Sequence, residues 1–428
     1  MFLVYDLLVS VVVWTILVPW HVVRVVLGGT RWSDLRERLG SCTTAFQPRR
    51  TAVADPPPPP ALTASREKQR VVVHAVSVGE VVAAGALIAE LQKRSARVIV
   101  TVGNDAGRDA AERLRSRFRS IEGVCYLPWD RRQAMRGWLR EIDPDTVAVV
   151  ETEIWPNLFR ACGESGVRLV VVNGRIDPGD VARYRFAAGF FRRVLRWADG
   201  IHAQDEVERR KFIDIGADPE CVAVLGNLKV DAARETLAAS VAPDLRDKVI
   251  VAGSTHAPEE RILLDAFEAL RNDVAGLRLV IVPRDVLRVV PLLAEARRRG
   301  LRAEGGAAVN GAEVTFIDRV GILPHLYRRA SIAFVGGTLA PHGGHNFLEA
   351  VAAGTPVILG PHLEHVQSAL GSFHGCVAVV RDAEELRAEC RRLLLDERAR
   401  LARATEAARV LERLPLCAPA YAENVLGR

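Results

Sequence analysis

The sequence lacks the cysteine patterns of a disulfide-stabilised or zinc-binding protein. Its seven cysteines are odd in number, are widely spaced and form no C-x-x-C pair. Both a disulfide framework and a structural zinc site need closely patterned cysteines, so the sequence argues against each of them. We expect reduced thiols, a cytoplasmic location for the folded part, and no metal ion or resident cofactor. No internal repeat of solenoid period is visible.

Length and charge set broad limits on the kind of protein. The 428 residues exceed one ordinary core and predict two domains of roughly 150–200 residues. The formal net charge is +6, and the pI is about 9.1. This mild excess suits an anionic membrane surface or a phosphorylated lipid, although many cytosolic proteins with such a balance bind neither. We predict no nucleic-acid partner.

The first 27 residues form the longest apolar run, which predicts a membrane anchor over residues 1–27. A bilayer-spanning helix needs about 20 apolar residues. No basic stretch precedes the run and no small-residue cleavage site follows it, which argues against a secretory signal. Arginines 24, 31, 36 and 38 come next and place the remaining chain in the cytoplasm. Asp6 and Pro19 leave an alternative open, namely a helix lying in the membrane interface or docked on the protein.

The rest of the chain alternates between short apolar runs and longer amphipathic segments. After a five-proline stretch at 56–60, which predicts an extended spacer, the first predicted strands are Val71–Val73, Val98–Thr101, Thr146–Val150 and Leu169–Val172. A second set comprises Val249–Ala252, Leu279–Val282, Val314–Ile317, Ile332–Val335, Pro356–Leu359 and Val377–Val380. Such alternation predicts parallel sheets covered by helices. We therefore predict an α/β protein with two Rossmann-like domains, residues 28–235 and 236–428, and a ligand cleft between them.

Glu80 follows the first predicted strand, within the sequence His-Ala-Val-Ser-Val-Gly-Glu at residues 74–80. A carboxylate delivered to the start of a helix at a strand end is a candidate general base. The spacing from Ser77 to Glu80 equally fits a helix capping box. The sequence alone leaves both interpretations open, and His74 is expected to be a core histidine.

Two more carboxylates, Glu151 and Glu153, follow the strand at 146–150 within Glu-Thr-Glu-Ile-Trp-Pro-Asn. They are candidates for steering an acceptor or stabilising developing charge, or else they favour a helix N-terminus. Lys229, within Gly-Asn-Leu-Lys-Val-Asp at 226–231, is either a solvated surface lysine or a partner for a phosphate or carboxylate.

The second half contains two candidate phosphate-binding turns. One is Gly-Ser-Thr-His at 253–256, where backbone amides and hydroxyls could hold phosphate or simply cap a helix. The other runs from Phe334-Val335-Gly336-Gly337 through the Gly-Gly-His-Asn-Phe-Leu-Glu segment at 343–349. Its glycines predict close backbone approach to a phosphate, a helix is expected to open near His345, and Glu349 is a candidate acceptor for ribose hydroxyls.

These motifs, in this order, resemble the 3-deoxy-D-manno-octulosonic acid (Kdo) transferase family. The resemblance covers nearly the whole chain and rests on Ser-Val-Gly-Glu, Glu-Thr-Glu-x-Trp-Pro-Asn, Gly-x-Leu-Lys, Val-Pro-Arg, Phe-Val-Gly-Gly-Thr-Leu and Gly-Gly-His-Asn-x-Leu-Glu. It implies a GT-B glycosyltransferase that moves Kdo from CMP-Kdo to a lipid A precursor, lipid IVA, at the cytoplasmic face of the inner membrane. Its implied partners are CMP-Kdo, that lipid and the anionic membrane surface.

The resemblance also implies roles for individual residues. Glu80 would be the general base, and Glu151 and Lys229 would stabilise the transition state. The implied CMP-binding residues are Pro283, Arg284, Val320, Gly321, Ile322, Asn346, Phe347, Leu348 and Glu349.

The chain departs from the family pattern in three places. Asp285 to Arg288 replace His-Pro-Glu-Arg, Ile322 replaces a carboxylate, and Leu363-Glu364 replace Asn-Phe. The missing carboxylate motivates the alternative of a membrane-tethered binding protein without catalysis. A GT-B transferase or epimerase that uses a UDP-sugar is the other alternative.

Overall fold

The computed structural model describes residues 1–27, 29–41, 68–238, 248–309, 311–319 and 321–427. The proline stretch at 56–60 and Val320 lie outside the described residues. The chain forms two compact units, Met1–Leu228 with Leu416–Arg428, and Lys229–Pro415. This division differs from the predicted boundary at 235/236, and it returns the C-terminal segment to the first unit. There the Tyr421 hydroxyl donates to the Gly226 carbonyl at 2.8 Å.

The first unit is built on one parallel sheet. Its strands are β1 (Arg70–His74), β2 (Arg97–Val102), β3 (Ile121–Tyr126), β4 (Thr146–Val150), β5 (Arg168–Gly174), β6 (Gly200–Ala203) and β7 (Val222–Val224). They lie in the order β3-β2-β1-β4-β5-β6-β7. Val71 and Val73 pack into one core and Val72 into the other, because successive side chains of a strand point to opposite faces.

Helices cover both faces of this sheet and explain why its strands are apolar throughout. The helices of the first unit, apart from the N-terminal one, are Trp32–Arg38, Val78–Lys93, Asp105–Arg117, Arg132–Ile142, Pro156–Ser165, Pro178–Phe186, Ala188–Leu195, Glu206–Asp214 and Ala418–Leu426, with a 3₁₀ turn at Pro219–Cys221.

The second unit is also built on one parallel seven-stranded sheet, but its third strand lies beside its fourth, whereas in the first unit the third strand lies beside the second. Its strands are β8 (Val249–Thr255), β9 (Arg278–Pro283), β10 (Ala303–Gly306), β11 (Val314–Ile317), β12 (Ile332–Val335), β13 (Val357–Leu359) and β14 (Ala378–Val379). All pairs are parallel, in the order β10-β11-β9-β8-β12-β13-β14. Its helices are Leu228–Ala238, which begins at the unit boundary, Glu259–Leu270, Val289–Arg298, Leu323–Tyr327, Leu348–Ala352, Gln367–Leu370, Ala383–Leu395 and Glu397–Arg413, with 3₁₀ turns at Val286–Arg288 and Gly371–Phe373.

The N-terminal segment is one helix, Phe2–Val26, that is long and apolar enough to cross a membrane by length and composition. It comprises Phe2–Val12, a π-helical turn at Val13–Leu17, and Val18–Val26. One face docks on the first unit, where the Tyr5 hydroxyl donates to Asp130 at 2.8 Å and the Asn157 amide donates to Asp6 at 2.7 Å. The opposite face exposes large apolar side chains, among them Leu3, Leu7, Trp14 and Trp20.

The two parallel α/β sheets confirm the predicted fold class. Each sheet contains strands that the sequence did not predict, namely β3, β6 and β7 in the first unit and β10 in the second.

Candidate active site

In the first unit, carboxylates gather where the strand order changes direction. Strand β1 lies between β2 and β4 in the sheet. The strands that follow β1 directly are added on one side of it, and β4 is added on the other, where Val149 pairs with His74. Ligands of such sheets bind at the carboxyl ends of the strands at this switch point. Glu80 follows β1, and Glu151 and Glu153 follow β4. The structure therefore brings these three carboxylates to the place where the fold binds ligands.

Glu80 forms a capping box at the start of the helix Val78–Lys93. Its Oε2 accepts the Val76 amide at 2.8 Å, its Oε1 accepts the Ser77 hydroxyl at 2.7 Å, and its own amide donates to Ser77 Oγ at 3.3 Å. The side chain is half-buried. Burial and the charge of Glu151 raise the pKa of Glu80. The capping interpretation is thus confirmed, and the same contacts fix a carboxylate of increased basicity at the switch point.

The two carboxylates after β4 differ in their surroundings. Glu151 has a left-handed backbone, with φ of 60°, and lies 3.8 Å from the Arg175 guanidinium. A positive φ is uncommon for a side chain of this size and is often found at functional sites. Glu153 accepts the Trp155 indole N–H at 2.8 Å. Burial and the charge of Glu80 raise the pKa of Glu153 to about 7. Glu153 therefore holds a proton for much of the time near neutral pH.

His74 is buried as expected, and it is neutral. Its Nδ1 lies 3.0 Å from the Thr101 hydroxyl and 3.2 Å from the Thr101 carbonyl. Burial lowers the pKa of His74 to about 4. Its Nε2 lies 4.0 Å from Glu153 Oε2. A neutral ring at this distance supplies no charge that would favour ionisation of Glu153.

Lys229 belongs to the second unit rather than to the predicted N-terminal domain. It is the second residue of the helix Leu228–Ala238 and is half-buried. Its charge acts on Glu349, where it favours the ionised carboxylate and opposes the effect of burial. Lys229 is thus associated with the predicted nucleotide residues, whereas Glu80 and Glu151 lie in the first unit.

In the second unit the switch point lies between β8 and β12. Gly253-Ser254-Thr255-His256 ends β8 and Gly336-Gly337-Thr338-Leu339 follows β12, as the sequence predicted. However, the glycine turn already holds an anion of the chain itself. The fully buried Glu259 carboxylate accepts five backbone N–H groups, from His256 at 2.9 Å and from residues 337–340 at 2.8–3.1 Å. The prediction that these amides hold a phosphate is therefore wrong.

Four of the predicted CMP-binding residues, Pro283, Arg284, Gly321 and Ile322, lie at the end of β9 and just before the helix Leu323–Tyr327. Pro283 is buried at the end of β9, while Arg284 is exposed and fixed through its backbone amide, which donates to the Thr255 carbonyl at 3.0 Å. Gly321, with φ of 81°, and Ile322 immediately precede the helix Leu323–Tyr327. Arg288, which matches the arginine of the family pattern His-Pro-Glu-Arg, makes a paired contact with both oxygens of Glu260, at 3.3 and 2.9 Å.

The segment from Asn346 to Glu349 presents two side chains and buries two. Phe347 and Leu348 are core residues, so only their backbone atoms are available to a ligand. The Asn346 amide donates to Glu349 Oε1 at 3.3 Å. Burial raises the pKa of Glu349, while Asn346 and Lys229 oppose the shift. The helix here is Leu348–Ala352, so it does not open near His345 as predicted.

Sequence reasoning missed two features of the second site. The first is Glu259, whose signal was a glutamate at a helix start three residues after a predicted phosphate turn. The second is a group of stacked histidines, His256, His342 and His345, brought together by the neighbouring ends of β8 and β12. Within the described ranges, no group of three or more His, Cys, Asp or Glu residues has the arrangement of a metal site.

Comparison with known proteins identifies the family. A family model described as 3-deoxy-D-manno-octulosonic-acid transferase (kdotransferase) matches residues 33–232, and one described as glycosyl transferases group 1 matches residues 240–410. A 3-deoxy-D-manno-octulosonic acid transferase of Bordetella pertussis is 31% identical over 79% of this chain and 82% of its own length. The chain belongs to the Kdo transferase family. It is accordingly a glycosyltransferase that transfers Kdo in lipopolysaccharide synthesis.

Two other relatives show how far the similarity extends. The Kdo transferase of Haemophilus influenzae is 31% identical over 69% of this chain and 71% of its own length. A bifunctional glycosyltransferase/methyltransferase of Fusobacterium nucleatum is 31% identical over 70% of this chain. The match spans only 48% of that longer relative.

Solved structures confirm the GT-B-like fold. The UDP-GlcNAc 2-epimerase of Neisseria meningitidis, bound to UDP-GlcNAc, covers 84% of this chain with a TM-score of 0.58 and 15% identity. An Anabaena protein in complex with UDP and glucose covers 84% with a TM-score of 0.57 and 16% identity.

Proposed function

We propose that this Kdo transferase uses CMP-Kdo as its donor and a lipid A precursor, lipid IVA, as its acceptor, at the cytoplasmic face of the inner membrane. The observation that carries the proposal is the gathering of Glu80, Glu151 and Glu153 at the switch point of the first sheet. A carboxylate with a raised pKa at that position suits removal of a proton from an acceptor hydroxyl.

In the proposed reaction, an acceptor hydroxyl oxygen attacks the anomeric carbon of Kdo, and Glu80 takes its proton. The bond from that carbon to the phosphate oxygen breaks, and its electron pair leaves with CMP. Positive charge develops on the sugar as the leaving group departs, and negative charge develops on the phosphate. The Glu151 carboxylate is suited to stabilise the positive charge on the sugar, and the Lys229 ammonium is suited to stabilise the negative charge on the phosphate. All bonds and charges balance without a metal ion or an oxidant.

On the donor side, Arg284 is the exposed cation suited to the phosphate, and Glu349 is suited to accept hydrogen bonds from the ribose hydroxyls. Pro283, Gly321, Ile322 and the segment from Asn346 to Leu348 would shape the nucleotide pocket through their backbones. Ile322 in place of a carboxylate removes one side-chain contact but leaves the backbone groups of that turn.

The N-terminal helix supports a location at the membrane. Its exposed face is apolar, while Tyr5 and Asp6 tie its other face to the first unit. We propose that the exposed face enters the lipid. The positive net charge of the protein would add attraction to anionic headgroups.

Reconstitution with purified components tests the proposal. The full chain is incubated in detergent with CMP-Kdo generated in situ and a tetraacyl lipid A precursor, and products are identified by mass spectrometry. The expected product carries at least one added Kdo residue. Transfer from a UDP-sugar but not from CMP-Kdo would support the alternative donor class, and binding of nucleotide without any transfer would support the non-catalytic alternative.

A further inference from the structure

Three histidines form a compact stack beside Arg284 in the second unit. The His256 ring lies 4.0 Å from the His342 ring and 5.1 Å from the His345 ring, measured between centroids, with interplanar angles of 24° and 9°. The Nε2 atoms of His256 and His345 are 2.9 Å apart. A hydrogen bond at this distance places one proton between the two rings, so each neutral ring retains one other nitrogen for further contacts.

The two carboxylates that act on His256, Glu259 and Glu260, are each engaged with another partner. Glu259 is held by five backbone N–H groups, and Glu260 is paired with Arg288. Arg284, His342, His345 and His365 are the cationic or titratable groups that act on the stack, while Glu259 and Glu260 oppose them. Burial and these positive neighbours lower the pKa of His256, and they lower the pKa of His345 to about 3. The rings of His256 and His345 are therefore neutral in the free protein at neutral pH.

The histidine stack lies at the switch point of the second sheet. His256 follows β8, and the other two histidines follow β12, at the switch point where the fold binds ligands. The backbone amides that would ordinarily hold an anion there are occupied by Glu259. These five amides are therefore closed to an anionic ligand, and the histidine side chains beside them are groups that can contact it.

We propose that His256, His342 and His345, together with Arg284, form a subsite for an acidic group of the donor. When that group binds, the hydrogen-bonded pair of His256 and His345 takes up a proton. This inference rests on the proposed donor, since CMP-Kdo carries two acidic groups, the phosphate and the sugar carboxylate. A bound anion reverses the local balance of charge, because an opposite charge within a few ångströms favours the charged imidazole. Donor binding is then coupled to proton uptake and strengthens as pH falls.

Isothermal titration of the full chain in two buffers of different ionisation enthalpy measures the proton uptake directly. CMP, UDP, free Kdo and CMP-Kdo are the probes. The subsite predicts net uptake of protons with at least one probe in the parent protein. His256→Asn and His345→Gln should remove that uptake and weaken the affected probe by roughly 10-fold or more, the usual cost of a hydrogen bond to a charged group. His374→Gln, at an exposed histidine of the same unit, is the matched control.

The pattern across probes identifies the acidic group. Weakened binding of CMP assigns the phosphate to the stack, whereas weakening confined to Kdo-containing probes assigns the carboxylate. If the parent protein binds UDP with proton uptake but not CMP, the subsite stands and the proposed donor is wrong. If none of the probes binds with uptake of protons, or if variants with unchanged melting temperature bind all probes as the parent does, the subsite is wrong.

Discussion

The two units each contain a parallel seven-stranded sheet with a switch point beside its first strand, but they carry opposite chemistry there. The first presents Glu80, Glu151 and Glu153, whose mutual repulsion and burial raise the pKa values of Glu80 and Glu153. The second presents histidines and Arg284, whose proximity and burial lower the pKa values of His256 and His345. The first site is therefore suited to accepting a proton and the second to receiving an anion.

A switch point of the same kind in both sheets therefore fixes where a ligand binds but not which ligand. Both pairs of neighbouring strands, β1 with β4 and β8 with β12, deliver loops to one edge of a parallel sheet. The side chains on those loops decide the chemistry. In the second unit one such side chain, Glu259, occupies the backbone amides of the glycine turn that would otherwise be available to an anion.

The largest expected effect is on turnover at Glu80. Glu80→Gln keeps the shape and one acceptor for the Val76 amide, and its NH₂ group can donate to Ser77 Oγ, but it removes the basic carboxylate. Turnover should therefore fall by about 10²–10⁴-fold while CMP affinity stays unchanged. Initial rates and CMP titrations on one preparation check this.

Glu385→Gln is the matched control for Glu80. Glu385 also caps a helix, since its Oε2 accepts the Arg381 amide at 2.8 Å and its own amide donates to Asp382 at 3.0 Å, but it is not at either switch point. It should retain parental turnover. Equal losses in both variants would mean that capping alone explains the importance of Glu80.

A smaller effect is expected for the nucleotide residues. Arg284→Ala and Glu349→Ala should each weaken CMP binding by roughly 10–150-fold, because each removes a charged hydrogen-bonding partner. Fluorescence or calorimetric titration measures the affinities. Arg302→Ala, at an exposed arginine of the same unit, should bind CMP as the parent does. If the first two variants do so as well, the nucleotide site lies elsewhere.

Glu259→Gln should change folding stability rather than chemistry. The amide cannot accept all five N–H groups, and a buried donor left without an acceptor costs about 1–3 kcal/mol. The melting temperature should fall, and CMP affinity in the remaining folded protein should change little. A gain in CMP affinity without loss of stability would restore the glycine turn as a phosphate site.

The smallest effect concerns pH and Glu153. Because its pKa in the folded protein is about 7 against an ordinary 4.5, the folded state holds a proton that the unfolded state has lost between these values. Stability therefore falls as pH rises through this window. Glu153→Gln should raise the free energy of unfolding by roughly 1–2 kcal/mol at pH 8 and have little effect below pH ~4.5.

Denaturant unfolding at both pH values measures the difference for Glu153. Glu112→Gln, on an exposed face of the same unit, is its control. A Glu153 variant with the same stability as the parent at pH 8 would contradict the raised pKa.

The sequence predicted the strands that are continuous and β-branched, such as β4, β11 and β12. It missed β3, β6, β7 and β10, because these are short or carry glycine, glutamate or histidine, as in Ile-Glu-Gly-Val-Cys-Tyr and Ala-Glu-Gly-Gly. Their strand conformation comes from pairing with neighbours already in the sheet, which a local pattern does not contain. The assignment of residues 416–428 to the first unit was missed for the same reason, because it depends on contacts with residues far away in the sequence.

The sequence predicted those candidate site residues that directly follow a recognisable strand. Glu80, Glu151 and the turns after β8 and β12 lie at strand ends, as expected. The partner of each group was not predictable, because it comes from distant sequence: Glu259 meets residues 337–340, and Lys229 acts on Glu349. A motif identifies a turn that can bind an anion, but only the fold shows whether the chain already supplies one.

The central claim, that the first unit removes the acceptor proton and the second binds the donor, is tested most directly by one paired measurement. CMP affinity and single-turnover rate at saturating donor are determined for Glu80→Gln and Arg284→Ala side by side. We expect Glu80→Gln to keep the affinity and lose the rate, and Arg284→Ala to lose affinity by a larger factor than rate. Loss of CMP affinity in Glu80→Gln, with the rate at saturation preserved, would contradict it.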